Sequence, residues 1–269
     1  MSLTIATWNI NSVRLRIDLV LRYLTENGPD VLCLQETKCP DAEFPLGPLA
    51  KAGYGHALHR GMKGYNGVAI LSRRPLKEAG RLTFCGREDA RHIAAELLDD
   101  HGRTITVHNL YIPAGGDIPD RDANPKFGHK LDFLDELKAW SEVGRQANAR
   151  AVLVGDLNIA PFVSDVWSHK AMLNVVSHTP VETEALNAIR GAGQWTDAIR
   201  HLVPEPEPVY TWWSYRSSDW SAANKGRRLD HIWVGSELAG RIAGHGLLRD
   251  ARGWERPSDH VPLALTLSD

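Results

Sequence analysis

The fold is indicated most clearly by eight residues, Ala151-Val152-Leu153-Val154-Gly155-Asp156-Leu157-Asn158. The first four side chains form a short, uninterrupted apolar run, which is typical of a fully buried strand. Polar side chains follow at once, and Asp156 and Asn158, two residues apart, project from the same face of an extended chain. This stretch therefore predicts a buried strand whose end presents a paired polar surface.

Similar apolar runs recur along the chain and predict that strands dominate the core. They are Leu3 to Trp8, Val31 to Leu34, Val68 to Leu71, Ile93 to Leu98, Thr104 to Leu110, Ala151 to Val154, Ile232 to Val234 and Val261 to Leu267. Two segments between them have helical periodicity, with apolar faces of Val13, Ile17, Val20, Leu21 and Leu24, and of Phe127, Leu131, Leu134 and Leu137. The turn Asp99-Asp100-His101-Gly102 predicts an antiparallel hairpin. The class is therefore α/β or α+β, and a purely parallel sheet is disfavoured.

Three further apolar runs end in a compact polar signature. These signatures are Thr7-Trp8-Asn9-Ile10-Asn11, Leu34-Gln35-Glu36-Thr37-Lys38 and His108-Asn109-Leu110-Tyr111. For any single segment, a turn made by Asn or Asp at a strand end is the better interpretation. Four such segments in one chain favour a shared pocket, provided that the strand ends lie together.

Two more segments place a carboxylate beside an imidazole. They are Arg227-Arg228-Leu229-Asp230-His231 and Ser258-Asp259-His260. Adjacent side chains of a regular strand point in opposite directions, but the nearby Pro257 predicts a loop that allows Asp259 and His260 to face one site. A solvated turn pair is the alternative interpretation of each segment.

These segments together supply many oxygen ligands and one prominent histidine. Carboxylate and amide oxygens suit Mg²⁺ or Mn²⁺, whereas zinc sites use several His or Cys ligands. None of the 12 His falls in an H-E-x-x-H pattern, and the chain has neither a G-x-S-x-G elbow nor a G-x-x-x-x-G-K-[ST] loop. The sequence therefore favours metal-assisted phosphoryl chemistry over a zinc hydrolase, a serine hydrolase or a nucleotide triphosphatase.

The composition restricts how the protein can bind a polyanion and which cellular compartment suits it. With 31 Lys and Arg against 33 Asp and Glu, the formal charge is -2, so a polyanion must meet a local basic patch or a metal. Three cysteines without metal-ligand spacing predict no disulfide framework, which fits a reducing cytoplasm. No apolar run approaches the roughly 18 residues of a membrane helix. Without an internal repeat, residues 1–269 are expected to form one domain.

These segments resemble those of the exonuclease III family of apurinic/apyrimidinic endonucleases, within the endonuclease/exonuclease/phosphatase superfamily. The resemblance spans nearly the whole chain and rests on seven ordered blocks. They are Thr7-Trp8-Asn9-Ile10-Asn11-Ser12-Val13-Arg14, Leu34-Gln35-Glu36-Thr37-Lys38, Asn109-Leu110-Tyr111-Ile112-Pro113, Gly155-Asp156-Leu157-Asn158-Ile159-Ala160-Pro161, Thr211-Trp212-Trp213-Ser214-Tyr215-Arg216, Arg228-Leu229-Asp230-His231 and Ser258-Asp259-His260. The block with two adjacent Trp resembles the DNA repair branch more than the inositol phosphatase or sphingomyelinase branches. The resemblance implies a four-layer α/β sandwich, in which two packed mixed β-sheets are flanked by helices.

The resemblance also implies a metal site. Glu36 is its main ligand, and Asn9, Asn11 and Asp259 lie close to the metal directly or through water. The metal implied is Mg²⁺, for which Mn²⁺ can substitute. Whether one or two metal ions bind stays open.

A catalytic group follows from the same resemblance. Asp156 orients or deprotonates the attacking water, with support from Asn158. Asp230 holds His260, which binds the scissile phosphate, and Tyr111 lies near it as a hydrogen-bond or proton donor. A carboxylate beside an imidazole favours its charged form, so we expect Asp230 to raise the basicity of His260. The identity of the general base stays open.

DNA contacts are expected from a third group of residues near the site. They are Arg14, Trp212, Arg216, Arg227, Arg228 and Leu229. Two positions depart from the family pattern: Ala114 stands where many relatives have Asn or Gln, and Arg227 stands where relatives that surround an extruded abasic sugar are often apolar. Trp212 and Leu229 are then the expected apolar walls, although core packing is the default for any single Trp.

The function implied is Mg²⁺-dependent hydrolysis of DNA phosphodiesters, 5′ to abasic sites and at 3′ ends. The expected partner is double-stranded DNA that carries such a lesion or end, bound by a monomer. One rival is a phosphomonoesterase or lipid headgroup hydrolase of the same superfamily. The other is a non-catalytic DNA-binding module with the same fold.

Overall fold

The computed structural model describes residues 2–269, which form fourteen strands and seven α-helices. The strands are β1 (Leu3–Asn9), β2 (Val31–Gln35), β3 (His56–Arg60), β4 (Val68–Ser72), β5 (Lys77–Gly80), β6 (His92–Leu98), β7 (Thr104–Tyr111), β8 (Ala151–Asp156), β9 (Thr196–Asp197), β10 (Trp212–Trp213), β11 (Gly226–Arg227), β12 (Asp230–Val234), β13 (Ile242–Leu247) and β14 (Leu263–Leu267). The helices are α1 (Ile17–Asn27), α2 (Leu46–Lys51), α3 (Pro125–Gly144), α4 (His169–Met172), α5 (Pro180–Ala192), α6 (Ala198–Leu202) and α7 (Trp220–Ala223). Within these residues, no helix is both long enough and apolar enough to span a bilayer.

Twelve of the strands form two six-stranded sheets. The first has the order β13-β14-β1-β2-β4-β3 and the second the order β5-β6-β7-β8-β12-β9. Each sheet contains one parallel pair, β1 with β2 and β7 with β8, and its other neighbours are antiparallel. The predicted hairpin joins β6 to β7, and the Asp99 N–H donates to the Arg103 carbonyl at 2.9 Å. Both sheets are therefore mixed.

Apolar side chains on the inner faces pack the two sheets together. Ile5 and Cys33 of the first sheet belong to one buried cluster with Val107, Val154 and Ile232 of the second. Successive side chains of a strand alternate between the two faces of its sheet. Every second side chain therefore points to the outer face, where another layer of structure must bury it.

Helices cover both outer faces. On the first sheet, Trp8 and Leu32 are buried with Val20 and Leu24 of α1. On the second sheet, a further cluster joins strand residues to α3 and α5, and it includes Leu110, Leu153, Phe133, Leu137, Leu186 and Ile189. The order helix, sheet, sheet, helix confirms the four-layer α/β sandwich.

The sequence patterns did not predict every element, and the edges of the sheets are among those missed. The edge strands β3, β5, β9 and β13 were not predicted, because edge strands are partly exposed and carry polar residues or glycine in place of an apolar run. Several observed element bounds also differ from the predicted runs. The last strand begins at Leu263 rather than Val261, and Val13 precedes α1, which begins at Ile17.

Strand register brings the polar strand ends together. Asn9 at the end of β1 pairs with Gln35 at the end of β2. In the second sheet Asp156 of β8 lies between Tyr111 of β7 and Asp230 of β12. Each sheet therefore presents a polar cluster at the ends of its central strands.

Candidate active site

Three residues just beyond the strand ends have left-handed backbone conformations. The φ angles are 48° at Asn11, 49° at Glu36 and 53° at Asn158. Asn adopts this conformation readily, but a glutamate there is uncommon, and such strain concentrates at functional sites. Backbone hydrogen bonds maintain it, since the Ser12 N–H donates to the Glu36 carbonyl at 2.7 Å.

Asn9 links the polar clusters of the two sheets. Its amide nitrogen donates to Glu36 Oε1 at 2.9 Å and to Asp156 Oδ2 at 2.8 Å. Its amide oxygen accepts from the backbone N–H of Asn11 at 3.1 Å. Asn9 therefore turns donors, rather than its oxygen, toward the two carboxylates.

Glu36 is held as an ionised carboxylate. Burial raises the pKa of Glu36, but the Lys38 charge and hydrogen bonds from Asn9, Lys38 and Tyr111 outweigh it, so the net shift is downward. Lys38 Nζ lies 2.8 Å from Glu36 Oε2 and 2.7 Å from Asn11 Oδ1. A side-chain cation thus already lies between two oxygens of the predicted metal site, which shows that this position favours positive charge.

Asp259 reaches the same region from the loop before β14. Its Oδ1 accepts from Asn11 Nδ2 at 3.3 Å, and its Oδ2 accepts from Trp212 Nε1 at 2.9 Å. The oxygens of Glu36, Asn11 and Asp259 form a donor set that fits a hard divalent cation such as Mg²⁺.

His260 lies between two carboxylates. Its Nδ1 is 2.8 Å from Asp230 Oδ2, and its Nε2 is 3.7 Å from Asp156 Oδ2. Burial alone would lower the pKa of His260, but the charges of Asp230, Asp156 and Asp259 and the hydrogen bond to Asp230 raise it to about 10. The imidazole is therefore a cation at neutral pH. Adjacent residues Asp259 and His260 both contact the site because they lie in a loop, as Pro257 predicted.

Asp156 lies at the centre of the network. Burial raises the pKa of Asp156 to about 7, the Asp230 and Glu36 charges add to this shift, and His260 and Asn9 oppose it. Asn158 donates its backbone N–H to Asp156 Oδ1 at 2.9 Å and its amide to Oδ2 at 3.2 Å. A carboxylate with a pKa near neutral pH suits proton transfer.

Ligand atoms of Asp156, Asp230 and His260 all lie within 4.8 Å of one another, so geometry alone would permit a metal there. The three groups already pair with one another, since His260 Nδ1 lies 2.8 Å from Asp230 Oδ2 and Nε2 lies 3.7 Å from Asp156 Oδ2. This cluster is therefore better described as a charged hydrogen-bonded unit.

Tyr111 contacts the carboxylate that is predicted to bind metal. Its hydroxyl donates to Glu36 Oε1 at 2.8 Å. Burial, together with the charges of Glu36 and Asp156, raises the pKa of Tyr111 well above its usual value, so it stays protonated. Tyr111 is thus available as a hydrogen-bond or proton donor.

A recess of about 520 Å³ opens beside these groups. Asp156, His260, Glu36, Asn158 and Asp259 contribute polar atoms to its walls, and the other walls include Trp212, Leu229, Val176, Arg227, Arg216 and Lys225. Trp212 and Leu229 thus contribute apolar surface to these walls. Arg14 is not among the lining residues, and its half-exposed guanidinium pairs with Glu43.

The prediction that Arg228 contacts DNA is wrong. The side chain has 0% exposure, and it donates to Asp165 at 2.8 and 3.0 Å and to Asp197 at 2.8 Å. A guanidinium that is enclosed and paired with two aspartates is not accessible to a phosphate. Arg228 instead joins the loop that contains Asp165 to the start of β12.

Two lysines that contact predicted site residues, Lys38 and Lys130, were not predicted as part of the site. Lys38 follows Glu36 by two residues in a quoted motif, and this spacing was the available signal. Lys130 is fully buried, donates to the Asn158 carbonyl at 2.8 Å and pairs with Glu182. Its position three residues after Phe127, on the apolar face of α3, could have shown that it is not a surface cation.

Comparisons with known proteins agree with this geometry. The model of the Endonuclease/Exonuclease/phosphatase family matches residues 6–260. Exodeoxyribonuclease III of Haemophilus influenzae is 33% identical over 96% of this chain and 97% of that protein. The structure of a 3′-5′ exonuclease from Neisseria meningitidis superposes with a TM-score of 0.89 at 31% identity, covering 99% of this chain and 100% of the other. The structure of an AP endonuclease from Archaeoglobus fulgidus gives 0.88 at 34% identity, with the same coverage. Sequence and fold thus agree over nearly the full length of each relative, and the chain belongs to the exonuclease III branch of the endonuclease/exonuclease/phosphatase family.

Proposed function

We propose that this protein is a metal-dependent DNA repair nuclease that hydrolyses phosphodiester bonds 5′ to abasic sites and removes nucleotides from 3′ ends. The observation that carries the proposal is the cationic His260, paired with Asp230 and facing Asp156 in a recess that also contains Glu36 and Asp259. A fixed cation, a carboxylate base and an oxygen-rich metal site are the groups that phosphodiester hydrolysis needs.

The residues act in the following roles. The imidazolium of His260 pairs with a nonbridging oxygen of the scissile phosphate, and Asp230 holds the ring in place. Asp156 takes the proton of the attacking water, while the two donors of Asn158 and the amide of Asn9 fix its carboxylate. The water oxygen bonds to phosphorus, and the bond from phosphorus to the 3′ oxygen breaks.

Glu36, Asn11 and Asp259 would hold the metal, which we propose to be Mg²⁺ with Mn²⁺ as a substitute. A bound divalent ion stabilises negative charge on the phosphate and on the leaving oxygen. Asn9 positions Glu36 and Asp156 relative to each other, and Tyr111 donates a hydrogen bond to Glu36.

The recess and the residues around it also support a proposed substrate. The substrate is double-stranded DNA with an abasic site or a 3′ end, contacted by Trp212, Arg216, Arg227 and Leu229 at the recess and by Arg14 outside it. Residues 1–269 act as one catalytic domain, since the apolar core is shared by both sheets. The proposed assembly state is a monomer. The three cysteines are free thiols, which supports a reducing cytoplasm.

The proposal is tested with a labelled duplex that carries one abasic analogue. We expect incision 5′ to the analogue with Mg²⁺ and none with chelator. Asp156→Asn should lower kcat by at least about 10²-fold, the lower range for a lost general base. Glu36→Ala should also abolish most of the activity, because it removes the main proposed metal ligand. The exposed Asp122→Asn variant is the matched control for removal of an acidic charge.

Absence of incision by the wild-type protein would reject the repair function. Turnover of inositol phosphates in the same preparation would then favour the phosphomonoesterase alternative. Binding of the duplex without any turnover would favour the non-catalytic alternative.

A further inference from the structure

Arg227 has an unusual place in the wall of the recess. Its guanidinium carbon lies 4.8 Å from the centre of the Trp212 ring, and the two residues are cross-strand partners in the β10–β11 pair. Nη1 donates to Ser177 Oγ at 2.9 Å and to the Val176 carbonyl at 3.2 Å. These contacts hold the plane of the guanidinium against Trp212.

The charge of Arg227 lacks a direct counterion. Among residues 2–269, no carboxylate oxygen lies within 4 Å of its guanidinium, and its buried Nε has no hydrogen-bond partner. Burial lowers the pKa of Arg227, and only the more distant Glu182 opposes that shift. The neighbouring Arg228, in contrast, is paired with two aspartates. A partly desolvated cation without a counterion favours binding of an anion.

Arg227 also changes the apolar part of the recess. Trp212 and Leu229 are the walls on which the face of an extruded sugar would pack, and the guanidinium covers the Trp212 ring. A charged group over this ring reduces the apolar surface that is available to a sugar. In place of this apolar surface, the guanidinium presents N–H donors in one plane, which suit phosphate oxygens.

We propose that Arg227 is a specificity-determining residue, which makes this recess favour DNA 3′ ends that carry a terminal phosphate over an internal abasic sugar. The inference rests on the proposed function, because it assigns a substrate preference to the same site. A terminal phosphomonoester has an additional charged oxygen where a phosphodiester continues into the next sugar. Arg227 pairs with that oxygen.

The reaction is a hydrolysis and needs no further reactant. The oxygen of water bonds to phosphorus, and the bond between phosphorus and the 3′ oxygen breaks. One water proton goes to Asp156 and returns to solvent, and the 3′ oxygen takes up a proton. The products are inorganic phosphate and a 3′ hydroxyl.

The test compares two duplexes of one sequence, one with a 3′ phosphate at a nick and one with an internal abasic analogue. We expect Arg227→Leu to lower kcat/KM for phosphate removal by about 10- to 100-fold, as for loss of a charge-assisted hydrogen bond. Incision at the abasic analogue should fall by a much smaller factor, because the internal phosphodiester lacks the extra charged oxygen, so the ratio of phosphate removal to incision falls at least about tenfold. Arg227→Lys, which keeps the charge but loses the planar donors, should give an intermediate ratio and provides a second, conservative variant.

Arg216→Ala is the matched control, because Arg216 also lines the recess, whereas the guanidinium over the Trp212 ring is that of Arg227. We expect it to lower both activities by a similar factor. A binding assay in chelator gives an independent readout: wild type should bind a hairpin with a 3′ phosphate about tenfold more tightly than one with a 3′ hydroxyl, and Arg227→Leu should lose this difference.

The outcomes separate the two proposals. Equal activity ratios in wild type and both Arg227 variants, with incision intact, would overturn the role of Arg227 and leave the nuclease function standing. A wild-type protein that is inactive on both duplexes would reject the nuclease function itself. A phosphate preference in the chelator binding assay that persists in Arg227→Leu would also overturn the inference.

Discussion

At the scale of single residues, two adjacent arginines show how pairing decides what a charged side chain does. Arg227 and Arg228 are neighbours in the chain, so their side chains point to different sides of the backbone. Arg227 lines the recess, whereas Arg228 is buried against Asp165 and Asp197. The first is available to a substrate, and the second supports the loop and strand next to Asp230.

Loss of Arg228 should therefore lower stability strongly. Removal of Arg228 takes the guanidinium away from Asp197 and leaves Asp165 with Arg200 alone, and breaking a buried pair typically costs about 3–5 kcal/mol. We expect Arg228→Ala to lower the free energy of unfolding by this amount, measured by urea denaturation. Arg14→Ala, which breaks a half-exposed pair with Glu43, should cost less than about 1 kcal/mol. Equal unfolding midpoints for the two variants would contradict this account.

At the scale of elements, the close approach of β7 and β8 places Asp156. These strands pair in parallel, and Gly155 of β8 lies opposite Leu110 of β7 with φ at +145°. A Cβ at Gly155 would lie 1.8 Å from the Leu110 carbonyl oxygen, so any side chain would force the strands apart. Only glycine allows this approach one residue before the proposed base.

Gly155→Ala should therefore impair both stability and activity. We expect a loss of about 3 kcal/mol in the free energy of unfolding, the upper range for an overpacked core. Incision at an abasic analogue should fall as well, because the displaced strand moves Asp156. Gly191→Ala in α5 is the control, since its added methyl would meet no atom within 4 Å. A Gly155→Ala protein with wild-type denaturation midpoint and incision rate would refute the argument.

At the scale of the whole molecule, buried histidines make stability depend on pH. Burial lowers the pKa of His108 to about 4, and burial together with the Arg228 charge lowers that of His231 to about 4. In the unfolded chain a histidine titrates near 6.5. Between these values the unfolded state binds protons that the native state does not, so the contribution of these two histidines to stability is fully present above pH 6.5 and is lost as the pH drops toward 4.

The effect is measurable for one histidine at a time. His108 contributes up to about 3 kcal/mol to the loss of stability between pH 6.5 and 4, at 1.36 kcal/mol per pKa unit. We expect His108→Asn to reduce the slope of unfolding free energy against pH in this range by about one proton. The exposed His245→Asn variant serves as the control. An unchanged slope in His108→Asn would show that His108 does not cause the acid sensitivity.

The sequence by itself determined the central strands and the polar motifs at their ends. A strand with an uninterrupted apolar run, such as Ala151 to Val154, must be buried on both faces. This conclusion depends only on the residues of the run itself. The resemblance in the motifs around Glu36, Asp156 and His260 then indicated the family and the four-layer sandwich. Edge strands such as β3 escaped prediction because their half-exposed side chains need no apolar pattern.

Only the tertiary structure decided which polar groups meet. The two donors of Asn9, the position of Lys38 between Glu36 and Asn11, and the pairing of Arg228 all join residues from separate elements. Whether a charged side chain is buried depends on the packing of the second sheet and its helices, which a local sequence pattern does not contain. The difference between Arg227 and Arg228, and with it the proposed substrate preference, therefore became visible only in the folded chain.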